Sequence, residues 1–213
     1  MCKKIMLTLF LAGFFTGVIF GQTHWLGTGP AIPLADFGDA DIEHPTSGMA
    51  ATGMAFGYEF VGPTDSLGLA IFFNSTFFWN PFDESSKTQI ESSMSSPPDN
   101  LKYSHYLGLP MSAGVNFSPR NTWQVSAGGV ISFFKPTAMV IGRDVYKIKG
   151  TTGFGFTVGA SLPIGSRVAL KVRYYWLINH RLKNGYYRYY SLPDDKVQNV
   201  NLLTAKLAFR LGD

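Results

Sequence analysis

The chain has 213 residues, enough for one domain with a sizeable core, and carries a formal charge of +4 with only 15% charged side chains. It has no dense Lys/Arg run, which excludes the electrostatic footprint of a nucleic-acid binder. Cys2 is the only cysteine, so the rest of the chain has no disulfide framework, thiolate metal site or cysteine nucleophile.

Low charge, 15% aromatic residues and 23 glycines are unusual for a soluble domain and expected where one surface faces lipid. The first 21 residues read as a secretory signal: Lys3 and Lys4 precede an apolar run over 5–20, and Ile19-Phe20-Gly21 stands before Gln22. That run is short for a membrane-spanning helix and no basic flank follows it. The expected division is a signal peptide over 1–21 and a single domain over 22–213.

After the leader, two-residue alternation dominates. Eight strands are predicted, at about 24–33, 48–61, 67–80, 101–117, 122–135, 151–162, 167–180 and 197–211. No helix-period segment of useful length is expected. Short connections rich in turn formers, such as Gly62-Pro63-Thr64-Asp65-Ser66 and Pro163-Ile164-Gly165-Ser166, alternate with long ones near 34–46, 81–100, 136–150 and 181–196. This sorting of short turns and long loops fits an up-and-down barrel with both termini on the short-turn side.

The two faces of the strands differ in kind. Met54, Phe56, Tyr58 and Phe60, with Ala50, oppose Gly53, Ala55, Gly57 and Glu59, with Ala51. Leu69, Ile71, Phe73, Phe77 and Trp79 share one face of the third strand. Val168, Leu170, Val172, Tyr174 and Trp176 oppose Arg167, Ala169, Lys171 and Arg173, and Leu203, Leu207 and Phe209 oppose Thr204, Lys206 and Arg210. A water-bathed face would be dense in Lys, Glu and Gln. The less apolar face here is mostly Gly, Ala, Ser and Thr, which suits the narrow lumen of an eight-stranded barrel. The bulky face ends in Trp25, Trp79, Trp123 and Trp176, as an interfacial aromatic girdle would. The expected fold is therefore all-β, an eight-stranded antiparallel transmembrane barrel, with its apolar side toward lipid. A soluble lipocalin-like barrel is the alternative, with the facing reversed. Pro110 falls inside the fourth strand, where a bulge is expected to absorb its missing donor. The fifth strand is the least regular, because Gly128, Gly129, Phe133 and Phe134 blur its faces.

The chain resembles the small outer-membrane β-barrels of the OmpA/OmpX-like type. The resemblance rests on the opening Gly27-Thr28-Gly29-Pro30-Ala31-Ile32-Pro33-Leu34-Ala35-Asp36-Phe37, on Leu107-Gly108-Leu109-Pro110-Met111 and on a closing strand with Phe209. The last residue is Asp213, where many such barrels end in an aromatic. The resemblance implies a place in the outer membrane of a Gram-negative cell, among lipid and lipopolysaccharide. It does not choose among adhesins, membrane-stabilising proteins, secretion accessories and lipid-modifying enzymes.

Glu59, Lys171, Arg173, Lys206 and Arg210 form the best-defined candidate cluster, all facing the lumen in this register. Charges in a narrow lumen must pair. They read as a structural plug of ion pairs, or as a gate that rearranges to pass ions. The bases outnumber the one inward acid, and loop acids or bound anions are candidates to complete the balance. Tyr186, Tyr187, Arg188, Tyr189 and Tyr190 in the last long loop are candidates for contact with an extracellular or envelope protein, or extend the strands at the outer interface. Catalysis has little support. His24, His44, His105 and His180 are scattered, and no metal or cofactor is implied. Lipid-A deacylase barrels use a lipid-facing His and Ser. Here His105 would need a serine from a neighbouring strand, such as Ser75. Gly153-Phe154-Gly155-Phe156 is followed by no helix and cannot cradle phosphate. The expected protein is non-enzymatic, structural or acting by contact through its outer loops. A narrow ion-conducting barrel and a lipid-modifying enzyme are the alternatives.

Overall fold

The structure is a computed structural model that describes residues 22–43, 47–119, 123–146, 149–183 and 195–212. The leader, and the Tyr186–Tyr190 cluster, lie outside the described residues. Eight strands close into an antiparallel barrel: β1 (Thr23–Leu34), β2 (Gly53–Val61), β3 (Leu69–Asn80), β5 (Tyr106–Phe117), β6 (Gln124–Pro136), β9 (Thr151–Pro163), β10 (Val168–Lys183) and β11 (Asp195–Leu211). Three further strands stand outside it. They are β4 (Leu101–Lys102), β7 (Met139–Ile141) and β8 (Asp144–Tyr146), and they form a small sheet from the second and third long loops. A helix, α1 (Glu84–Ser93), occupies the second loop.

Each barrel strand pairs with the next one in the chain, and β11 closes onto β1 through pairs such as Leu26↔Phe209. This closed meander follows from the sequence pattern. Tight turns join antiparallel neighbours, and closure leaves no unpaired edge in hydrocarbon. Seven of the barrel strands have 12 to 17 residues, long enough to cross a bilayer when tilted, and β2 has 9.

The outer surface carries the bulky alternate residues. Ile71 is 67% exposed, Phe154 and Phe156 each 62%, and Trp176 51%. A belt of this kind around a whole barrel is far larger than the apolar patches of soluble monomers. Leu170 and Trp176 face outward, while Lys171 and Arg173 are buried in the lumen. The lipocalin-like alternative requires the opposite facing and is overturned.

Several expectations need correction. The second loop is helical in part, and its serine-rich sequence has too weak an amphipathic pattern to show this. Trp25 is not part of the girdle. It is 8% exposed and points into the lumen. Ala50 is also buried, in a bridge to Phe82 rather than on the lipid face. Pro110 is not absorbed by a bulge: its pairing to β3 lapses between Ser75↔Met111 and Phe78↔Gly108, and the same register resumes beyond it. β6 is regular, with Ile131 and Phe133 exposed and Val130, Ser132 and Phe134 buried. Among the described residues, the one register shift in the barrel ladders falls between Leu177 and His180 of β10, and His180 is buried.

Candidate functional site: a lumen sealed in two layers

The inward residues divide the lumen into an ionic layer near the short turns and an aromatic layer near the long loops. The ionic layer is built by parity. Glu59 of β2, Lys171 and Arg173 of β10 and Lys206 of β11 all occupy inward positions of strands whose other face is apolar. Arg173 Nη2 donates to Glu59 Oε2 at 2.7 Å, and Lys171 Nζ donates to Glu59 Oε1. The two bridges span the lumen, because β11 and β1 stand between β10 and β2 in the sheet. Lys171 and Lys206 are direct cross-strand partners, an unfavourable like-charge pair that a shared carboxylate relieves.

Neighbours fix the cations further. Lys171 Nζ sits 4.5 Å from the Trp25 ring centre, and Arg173 Cζ lies 4.7 Å from that of Phe72. Lys206 Nζ donates to Thr76 Oγ1 at 2.8 Å, and the Thr76 hydroxyl donates to Asn74 Oδ1 at 3.0 Å. The Tyr175 hydroxyl donates to Asn74 Oδ1 at 2.7 Å. Gly57 faces this network, where a side chain would collide with Lys206 Nζ and Thr76 Oγ1. Phe72, Asn74, Thr76 and Tyr175 were not singled out from sequence, and Trp25 was read as part of the outer girdle. Their inward parity was the available signal.

Arg210 stands apart from this cluster. It is half-buried, sits at the turn end of β11 and makes no ion pair with Glu59 among the described residues. Its inward parity is as expected, but four residues along a strand separate it from Lys206, a distance of about 13 Å.

The aromatic layer was not expected, since the lumen was read as lined by small residues and ion pairs. Phe37, on a short 3-10 turn (Ala35–Phe37) after β1, is fully buried. Its ring centre lies 5.4 Å from Tyr106, 5.7 Å from Phe134 and 6.4 Å from Phe78, each edge-on. Gly108 leaves the space that the Phe78 ring fills. Leu177, Val200 and Leu202 complete the layer from β10 and β11, and Met49, Phe82 and Ile90 cover it from the loops. The fold of the first loop is held by its backbone: Ala50 N donates to Phe37 O at 3.1 Å and Asp83 N to Met49 O at 2.8 Å. Asn80 Nδ2 donates to both Ala31 O and Ala51 O at 2.8 Å, tying the loop to the barrel rim.

The other candidates are not brought together. Ser75 pairs with Met111, six residues along β5 from His105, so roughly 20 Å of strand separates that serine from that histidine. His105 is exposed beside Trp79, with ring centres 5.4 Å apart. Gly153 and Gly155 are inward positions of β9. No set of three His, Cys, Asp or Glu side chains among the described residues is placed to hold a metal.

No family model matches the sequence, and no curated protein is similar enough to count as a relative. Solved structures do resemble the fold. Ail, the attachment invasion locus protein of Yersinia pestis, superposes with a TM-score of 0.53 at 8% identity, over 89% of this chain and 97% of that one. The same protein in complex with the heparin analogue sucrose octasulfate gives 0.51 at 10% identity over the same shares. The outer membrane protein OprG from Pseudomonas aeruginosa gives 0.50 at 9%, over 91% of this chain and 97% of that one. At such identities the likeness carries the architecture alone. The architecture is that of a small eight-stranded outer-membrane barrel.

Proposed function

We propose that this chain is an integral outer-membrane protein of a Gram-negative envelope, exported through a cleaved leader over 1–21, whose closed barrel anchors a folded cap for contact with another protein. The carrying observation is the double seal. Phe37 and its neighbours fill the outer half of the lumen, and Glu59 with its cations fills the turn half. A barrel closed at two levels is built to hold loops in place rather than to pass solute. The loops support this reading, since they carry a helix and a three-stranded sheet of their own. Lipid and lipopolysaccharide are its surroundings, not its substrates.

The chemistry of the cap bears on the partner. Ail is known in complex with a heparin analogue. Here the first loop carries Asp36, Asp39, Asp41 and Glu43, which repel a polyanion, so a protein partner is favoured. The Tyr186–Tyr190 segment is proposed as part of that contact. The test is an epitope inserted between Ser95 and Asp99 of the full chain. Antibody binding to intact cells is expected, together with heat-modifiable migration from the outer-membrane fraction and no unitary conductance in a planar bilayer. Labelling only after permeabilisation, or stepwise conductance, overturns the reading. Altered acyl chains on lipopolysaccharide incubated with the protein would favour the enzyme instead.

A further inference from the structure

The ionic layer is out of charge balance. Lys171, Arg173 and Lys206 are all buried, and Glu59 is the one carboxylate among the described residues that faces them. The other described acids lie in the outer loops, at the outer ends of strands or, for Asp65, in an exposed turn. Asp65 Oδ1 already accepts from Leu67 N and Leu69 N at 2.9 and 2.8 Å, so it is committed to its own turn. Three basic side chains therefore share one carboxylate in a low-dielectric lumen, where an unpaired charge is costly.

The same place offers donors without acceptors. Arg173 Nη1 and Asn116 Nδ2 are buried and make no hydrogen bond, on residues that are only 5% and 4% exposed. Both residues line one recess of about 10 Å³, together with Glu59, Ser126, Lys171 and Lys206. A volume of that order is room for one water-sized particle. Arg173 directs its other nitrogen, Nη2, to Glu59, so Nη1 is oriented by an ion pair and not free to swing. Surplus basic side chains, two buried N–H donors without acceptors and a small recess share a location.

We propose that this recess is a binding site for a small inorganic anion, a halide such as chloride, held by Arg173 Nη1 and Asn116 Nδ2 and attracted by Lys171 and Lys206. The site lies in the turn-side part of the lumen, beside Gln124 at the start of β6. It completes the charge balance that Glu59 alone cannot.

The test uses the full barrel in detergent, unfolded thermally in chloride or in gluconate at equal ionic strength. Gluconate is too large for the recess. The expected result is a midpoint that rises saturably with chloride, by about 3–6 °C at ten times Kd. Crystals soaked in bromide should show an anomalous peak in hydrogen-bond range of Arg173 Nη1 and Asn116 Nδ2. Asn116→Asp supplies a resident carboxylate at the same position and is expected to fold normally and lose the chloride dependence. Equal midpoints in the two salts, or bromide absent from the recess, overturn the proposal, as does an undiminished chloride effect in Asn116→Asp.

Discussion

Glu59 is the residue on which the turn half of the barrel depends. It accepts from both Lys171 and Arg173, and its loss leaves three buried cations to face one another. Removing one partner of a buried pair costs about 3–5 kcal/mol, because the remaining charge is stranded. Glu59→Ala is therefore expected to lower unfolding stability by that amount, read from urea titration in detergent micelles. Glu59→Gln should recover little of it, since the amide keeps the shape but not the charge. The cluster was legible in the sequence because a charge within an otherwise greasy strand has only one tolerable direction. Trp25 was not legible. On β1 the inward set is Trp25, Gly27, Gly29 and Ala31, so one bulky ring stands on a face otherwise made of small residues, while bulk elsewhere marks the lipid side. In the lumen its ring meets the Lys171 ammonium, contributed by a strand distant in sequence.

At the scale of elements, the eight barrel strands could be read from alternation and turn residues, while the elements in the loops could not. α1 shows why. Of its ten residues only Ser86 and Ile90 are buried, so it has almost no apolar stripe to betray a helical period. What starts it is a cap. Asp83 accepts from Ser86 N at 3.0 Å, and Ser86 Oγ in turn donates to Ala40 O at 2.8 Å, docking the helix on the first loop. Burial pushes the Asp83 carboxyl up, but hydrogen bonds from the Ser85 hydroxyl and the Ser86 and Ser85 amides outweigh it and hold it below the usual carboxylate range. A depressed folded value means the cap contributes fully above the unfolded pKa and is lost as pH falls through the folded one. Hydrogen exchange over residues 84–93 is thus expected to be slow at neutral pH and to lose protection in acid beyond the intrinsic rate change. Asp83→Ala should show the low-pH behaviour at every pH, with about 1 kcal/mol less protection. Unchanged exchange in that variant would mean the docking through Ser86 and Ile90 holds the helix unaided.

For the whole molecule, the informative feature is that the two seals are in series and of different chemistry. The outer one is apolar and depends on a loop residue. Phe37 was visible in the sequence only as the end of a motif, because nothing local marks an aromatic after an Ala-Asp pair as a plug for a barrel lumen. Its partners, Phe78, Tyr106 and Phe134, come from three different strands and meet only on closure. The inner seal is ionic and is set by parity, so it was foreseeable. Phe37→Ala removes a fully buried ring and is expected to cost about 3–5 kcal/mol. It should also release the first loop, seen as faster protease cleavage near Gly38. Conductance is a separate matter. With Glu59, Lys171, Arg173 and Lys206 still spanning the turn half, ions have no path, so bilayer recordings of Phe37→Ala should remain silent. Glu59→Ala should also be silent, because the aromatic layer above it is untouched. A unitary current in either single variant would mean that one layer alone closes the barrel, and that the other serves stability only.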